Sequence, residues 1–158
     1  MKPVTGGEWR LFVVGHALQA GTYVDLVREA FGGLPTSLEV LEPRDGGPTT
    51  GGASLPSEVT VRAVPPGDLT AVGAHANEFL SPVPGTDVPT FVWYDSISHA
   101  LEHAPRSAVF RSLHRLSVRV RSAGGTGYYW LSSEVDTRTR AAFGPLFDAV
   151  VPATRTVG

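Results

Sequence analysis

Thr90-Phe91-Val92-Trp93-Tyr94-Asp95-Ser96 decides how the rest of the chain reads. A run of β-branched and aromatic residues without polar alternation stops abruptly on an acid and a hydroxyl. Such a run fits a strand buried on both faces, as in a parallel sheet covered by helices. Ligands of open α/β sheets sit beyond the carboxyl ends of their strands, which puts Asp95 and Ser96 at the edge where chemistry would occur.

Outward from that strand, similar units repeat in both directions. Residues 10–15 read as a first strand ending at Gly15, followed by a helix over 23–31 with Thr22 as its N-cap and Gly32-Gly33 at its end. Residues 37–41 are a second strand. A Gly/Pro-rich surface loop at about 43–57 leads to a strand over 58–64, which Pro65-Pro66 stops. Asp68 caps a helix over 69–80, and a Pro-rich connector over 81–89 leads back to the central strand. Past Pro105 lies the longest helix, to about Ala123, where Val109, Leu113, Leu116 and Val120 form one apolar stripe. Tyr128, Tyr129 and Trp130 are expected in an interior strand over 126–131. Asp136 or Thr137 opens a short helix to Phe143, and residues 146–151 are expected as a last edge strand after Gly144-Pro145. Alternating strands and helices specify an α/β fold, a three-layer α/β/α sandwich with a mostly parallel sheet.

At 158 residues the chain is expected to be a single domain, 1–158, with a core that needs no staples. Cysteine is absent, which excludes disulfides and thiolate metal sites. No stretch approaches the roughly 20 apolar residues of a spanning helix, and the apolar run near the start is too short for a signal peptide. A cytoplasmic protein with no membrane association is therefore expected. Net charge is −2, but unevenly spread: eleven acids face five bases up to Asp95, and four face eight after it. The basic excess includes Arg111, Arg115 and Arg119 at i, i+4 and i+8, a candidate interaction ridge for an acidic or phosphate-bearing partner. Such a ridge is usually only a solvated helix face.

The order of parts resembles a P-loop ATPase of the RecA/KaiC-like superfamily. Trp93-Tyr94-Asp95-Ser96, Phe110-Arg111-Ser112-Leu113-His114 and Leu146-Phe147-Asp148-Ala149-Val150-Val151 carry the likeness. The chain is also similar to short haloarchaeal KaiC-like proteins. The resemblance implies a RecA-like sheet, a Walker B-like role for Asp95 and Ser96 in organising Mg²⁺ and its water, and a phosphate loop after the first strand. Such a loop needs G-x-x-x-x-G-K-[ST], whose lysine neutralises phosphate charge. Gly15-His16-Ala17-Leu18-Gln19-Ala20-Gly21-Thr22 keeps Gly15 and Thr22, but has Ala20 for the second glycine and Gly21 for the lysine. Lys2 is the only lysine in the chain. Losing that charge-assisted contact costs on the order of several kcal/mol in a transition state governed by electrostatics.

Gly15, Gly21 and Thr22 thus mark a degenerate phosphate loop, and ATP hydrolysis is not expected. The expected function is a catalytically degenerate RecA/KaiC-like domain acting as a regulatory or protein-interaction module. It would work without a cofactor, through a protein partner or self-association. Two alternatives stay open. One is a Mg-nucleotide-binding or slow ATPase domain of the same fold, holding Mg-ATP between the loop and Asp95. The other is a zinc hydrolase in which His99, Glu102 and His103 follow the H-x-x-E-H pattern, two imidazoles on one helical face with the glutamate as base. Each motif also has a plain structural role: a βα turn, an Asp that caps the next turn with Ser96 or Ser98, a solvated turn. No metal ligand set is assigned, and the aromatic pattern of RNA-binding modules is missing, so a nucleic-acid partner is not expected.

Overall fold

The apolar runs pair as parallel strands throughout one sheet. Its members are β1 (Arg10–Gly15), β2 (Ser37–Pro43), β3 (Val59–Val64), β4 (Thr90–Asp95) and β5 (Thr126–Tyr129), in the order β3-β2-β1-β4-β5. The computed structural model describes residues 7–49, 54–81 and 87–152. Helices α1 (Ala20–Phe31), α2 (Leu69–Phe79), α3 (Ile97–His103), α4 (Arg106–Ser122) and α5 (Thr137–Phe143) flank the sheet, and a 3-10 turn, Gly144–Leu146, follows α5. The expected three-layer α/β/α sandwich is the fold, with an all-parallel sheet.

Strand alternation divides β1 between two cores. Leu11 and Val13 pack with Leu38, Val40 and the α1 residues Ala20, Tyr23, Val24 and Val27. Phe12 and Val14 face the opposite way, onto Val72, Ala76 and Phe79 of α2 and the apolar stripe of α4. That stripe, Val109, Leu113, Leu116 and Val120, is buried as its spacing requires. Burial of each such side chain contributes about 1.5–3 kcal/mol. Asp68 caps α2 by accepting from Ala71 N at 3.0 Å. Gly32 and Gly124 close α1 and α4 at φ near +72° and +71°, a conformation that favours glycine.

Several local expectations need correction. Helix α1 begins at Ala20, one turn early, so Thr22 lies inside it and is not its N-cap; Gln19 holds that position without a side-chain cap. Strand β2 runs on to Pro43, two residues past its expected end, and so takes in Glu42. Of the loop at about 43–57, residues 44–49 and 54–58 are neither helix nor strand, and 50–53 lie outside the described residues. The segment bearing Tyr128 is the sheet's edge rather than its interior, and Tyr128 is 40% exposed. Nor do residues 146–151 form a last strand. Leu146 and Phe147 turn into the helical layer, the Phe147 ring 4.8 Å from that of Tyr129, and Val150 and Val151 remain exposed. Asp148 pairs with Arg121 of α4 at 3.0 Å, with both side chains exposed.

The second core contains two buried phenols, Tyr94 and Tyr129, whose hydroxyls have no hydrogen-bond partner among the described residues. Burial raises both phenol pKa values, and each ring sits beside the other at 6.0 Å. An unsatisfied buried hydroxyl carries a desolvation cost of about 1–3 kcal/mol. Tyr94→Phe should therefore leave stability unchanged or raise it by about 1 kcal/mol in urea unfolding. A loss of similar size would mean that the hydroxyl has a partner.

Candidate functional site

Strands β2 and β3 lie on one side of β1, and β4 and β5 on the other. The chain reverses direction across the sheet between β1 and β4, and ligands of doubly wound sheets enter at such a switch point. Gly15 and Asp95 are register partners at the ends of these two strands, and Glu42 is the next-to-last residue of β2 on the other side of β1. The sequence-predicted Gly15, Asp95 and Ser96 thus come together at the expected edge.

What fills that edge is the protein's own side chains. The Tyr23 ring lies across Gly15, where an added Cβ would overlap Cε2 and sit 3.0 Å from two other ring atoms. Its hydroxyl donates to Asp95 Oδ2 at 2.8 Å and accepts from the Ala17 and Leu18 amides at 3.3 Å each. Trp93 packs edge-on against the same ring at 5.1 Å. Burial, with Asp95 adding to it, pushes the Tyr23 phenol pKa well above its ordinary value.

The start of α1 is closed by an acid. Glu42 accepts from Ala20 N at 3.0 Å and from Thr49 N at 2.6 Å, and the Thr49 hydroxyl donates to it as well. The carboxylate, 2% exposed, occupies the anion position that the helix's free amides and dipole create. Gln19 supplies no cap, so this tertiary contact replaces a local one. Gly21 and Thr22, predicted at the phosphate loop, are the second and third residues of α1, and Thr22 is exposed.

A histidine cluster borders the crevice. His16 Nδ1 lies 3.3 Å from the Asp95 carbonyl, and its ring stacks on that of His99 at 6.1 Å. Ser96 caps α3: its Oγ accepts from His99 N at 3.2 Å and lies 2.6 Å from His99 Nδ1. The Asp95–Ser96 peptide is cis. Of the H-x-x-E-H residues, His99 is engaged with Ser96, while Glu102 and His103 are exposed on α3. Among the described residues no three His, Cys, Asp or Glu side chains are grouped to hold a metal ion.

Burial lowers the His16 pKa from 6.5 to about 4, with His99 and His103 pushing the same way and the Asp95 carbonyl opposing. The folded state therefore keeps His16 neutral where the unfolded chain takes up a proton. Its contribution is fully present above about pH 6.5 and is lost as pH falls toward 4. Allowing for partial solvent exposure, the loss should be roughly 2 kcal/mol. Urea unfolding at neutral pH and near pH 4 checks it: His16→Gln should remove that share of the acid dependence. An unchanged pH profile would place the titration elsewhere.

Arg111 and Arg115 are exposed on α4 and Arg119 is half-buried, and none has an ion-pair partner among the described residues. No helix among the described residues is long and apolar enough to cross a membrane. Glu42 and Tyr23 are the residues that sequence reasoning missed. The only signal for Glu42 was an acid at the end of an apolar strand. Tyr23 figures in the sequence only as the first residue of the helix expected over 23–31.

Fold and site together define a doubly wound α/β domain whose switch-point crevice is closed from within. The chain belongs to a family of unknown function, DUF7504, which it matches over residues 3–153. No curated protein and no solved structure matches it.

Proposed function

We propose that this chain is a RecA/KaiC-like domain that has given up nucleotide hydrolysis and serves as a regulatory or protein-interaction module. The observation that carries this reading is the Glu42 carboxylate bound at the start of α1. A phosphate group and Glu42 would compete for the same amides, and two like-charged groups at one buried position repel strongly. Asp95, the would-be magnesium ligand, is 8% exposed and already accepts from Tyr23. With Lys2 the only lysine, the residues at the crevice supply no lysine to offset these two acids.

Calorimetry with Mg-ATP tests the reading. The expected result is no binding heat at micromolar to submillimolar nucleotide and no phosphate release. Micromolar binding that Asp95→Asn abolishes would instead establish the nucleotide-binding alternative.

A further inference from the structure

We propose that the strip of sheet beside α1, over β4 and β5, docks the uncharged face of an amphipathic helix from a partner protein, a step that rests on the interaction-module reading above. All-parallel sheets are covered on both faces. One face of this sheet lies under α2, α3, α4 and α5, whose buried residues share a single core. On the other face α1 is the only described helix, and it packs over β1 and β2. Beyond it the same face continues across β4 and β5 with Phe91, Trp93 and Tyr128. Phe91 and Trp93 are only partly buried, and Tyr128, the register partner of Trp93, is 40% exposed. Register partners on adjacent strands point to one face.

The flank of α1 that borders this strip is apolar as well. Tyr23 meets Trp93 edge-on at 5.1 Å and so marks that flank. Leu26 and Ala30 follow Tyr23 at i+3 and i+7 on the same side, and both are exposed, Leu26 by 41%. Leu18, equally exposed, stands at one end, its amide 3.3 Å from the Tyr23 hydroxyl. Trp9 closes the other end, 5.0 Å from Phe31 and 6.0 Å from Phe91. Single exposed apolar residues need no explanation, but a contiguous patch of them marks a contact surface.

Size and charge select the occupant. Two strands span about 10 Å, the width of one helix, and the six residues of β4 span about 20 Å, close to the length of α1. Sheet strip and helix flank together offer on the order of 400 Å². A stable dimer needs roughly 800 Å² from each copy, whereas one helix of about twelve residues laid against both surfaces fits this area. No charged residue stands among the aromatic and aliphatic side chains of strip and flank, so the occupant buries an uncharged face, and a nucleic acid would find no cation for its phosphates. A second copy has no free helix to insert. The apolar stripes of its described helices are buried in its own cores, and the outer side of α1 brings Asp25 and Glu29, which are costly to bury against aromatic rings. Nor does the rest of this sequence supply the helix: the stretches outside the described residues hold four to six residues each, under about two turns.

Selection from a displayed library of helix-forming peptides, about three to four turns long, tests this on the whole chain without nucleotide. The expected peptides carry apolar anchors at i, i+3, i+4 and i+7, with charges confined to the opposite side. Their affinity, read by fluorescence anisotropy, should fall about tenfold or more in Tyr128→Glu and in Leu26→Glu, and be unchanged in Val118→Asp on α4 across the sheet. Both strip variants alter exposed side chains and should melt like the parent. Binding should also move tryptophan emission to shorter wavelength as Trp93 is covered, a shift lost in Trp93→Phe. Peptides that bind all variants equally, or that leave the emission unmoved, would overturn the strip as the site while sparing the interaction-module reading. Heat with Mg-ATP would overturn that reading while leaving the peptide measurement intact. Three other results would also overturn the proposal: no peptides recovered, self-association in sedimentation that Tyr128→Glu abolishes, or binding to neutral phospholipid vesicles that Leu26→Glu abolishes.

Discussion

Gly15→Ala should destabilise the fold by about 3 kcal/mol, far more than an ordinary loop glycine would. The new Cβ would overlap the Tyr23 ring, which is fully buried and held between Trp93 and Asp95. Overpacking of this kind typically costs about 1–3 kcal/mol. If the ring swings away to relieve it, the hydrogen bond to Asp95 is lost, about 1.5–3 kcal/mol for a bond to a charged group. For a chain of this size the melting midpoint should fall by about 10 °C. Tyr23→Ala supplies the control: in that background the added methyl should cost little, so the double-mutant cycle returns most of the effect as coupling between the two residues. A phosphate-loop glycine would behave otherwise, losing ligand affinity with stability nearly intact. A measured cost below about 1 kcal/mol would show that the ring is not locked over Gly15.

The architecture was legible because it depends on periodicity, which is local. The unbroken apolar run of β4 and the four-residue stripe of α4 each specify burial through their own spacing, and the sheet follows from their alternation. The closing segment was not legible for the same reason. Residues 146–151 have strand-like composition, yet Leu146 is buried at the end of the 3-10 turn, Phe147 lies against Tyr129 of the edge strand and Asp148 meets Arg121 of α4. Tertiary partners decided that element, and nothing in its own residues announces them.

The crevice divides along similar lines. Asp95 and Ser96 were legible from the strand that ends on them. Gly15 was legible as a special position, but not its neighbour, since the aromatic ring of a residue eight positions on lies where a Gly15 side chain would go. Glu42 was not legible at all. Its partners, Ala20 and Thr49, come from a helix start and from the Gly/Pro-rich loop, and no spacing rule joins three such segments. Thr22 looked like a cap because threonine is a good one, but the chain begins its helix a turn earlier and caps it through tertiary structure.

Glu42→Ala should cost about 3 kcal/mol in the absence of added anions, because the Ala20 and Thr49 amides lose a charged acceptor in a buried setting. Ala20 N retains only the Thr49 hydroxyl at 3.3 Å. The more informative result is what the vacancy does next. A helix N-terminus with free amides and no carboxylate attracts small anions, so inorganic phosphate should raise the melting midpoint of the variant. At phosphate about tenfold above its dissociation constant the recovery would be about 1.4 kcal/mol, roughly 3–5 °C here. The parent protein at the same phosphate concentration, and both proteins in chloride of matched ionic strength, separate this from general salt effects. Glu42→Gln retains an acceptor without the charge and should fall between the two in stability, with a weaker response to phosphate. If phosphate stabilised parent and variant alike, the carboxylate would not be filling the anion position. If it stabilised neither, the α1 amides would have found another partner. A response confined to Glu42→Ala would show that the chain carries its own anion at the start of α1, where a bare helix N-terminus would take a phosphate.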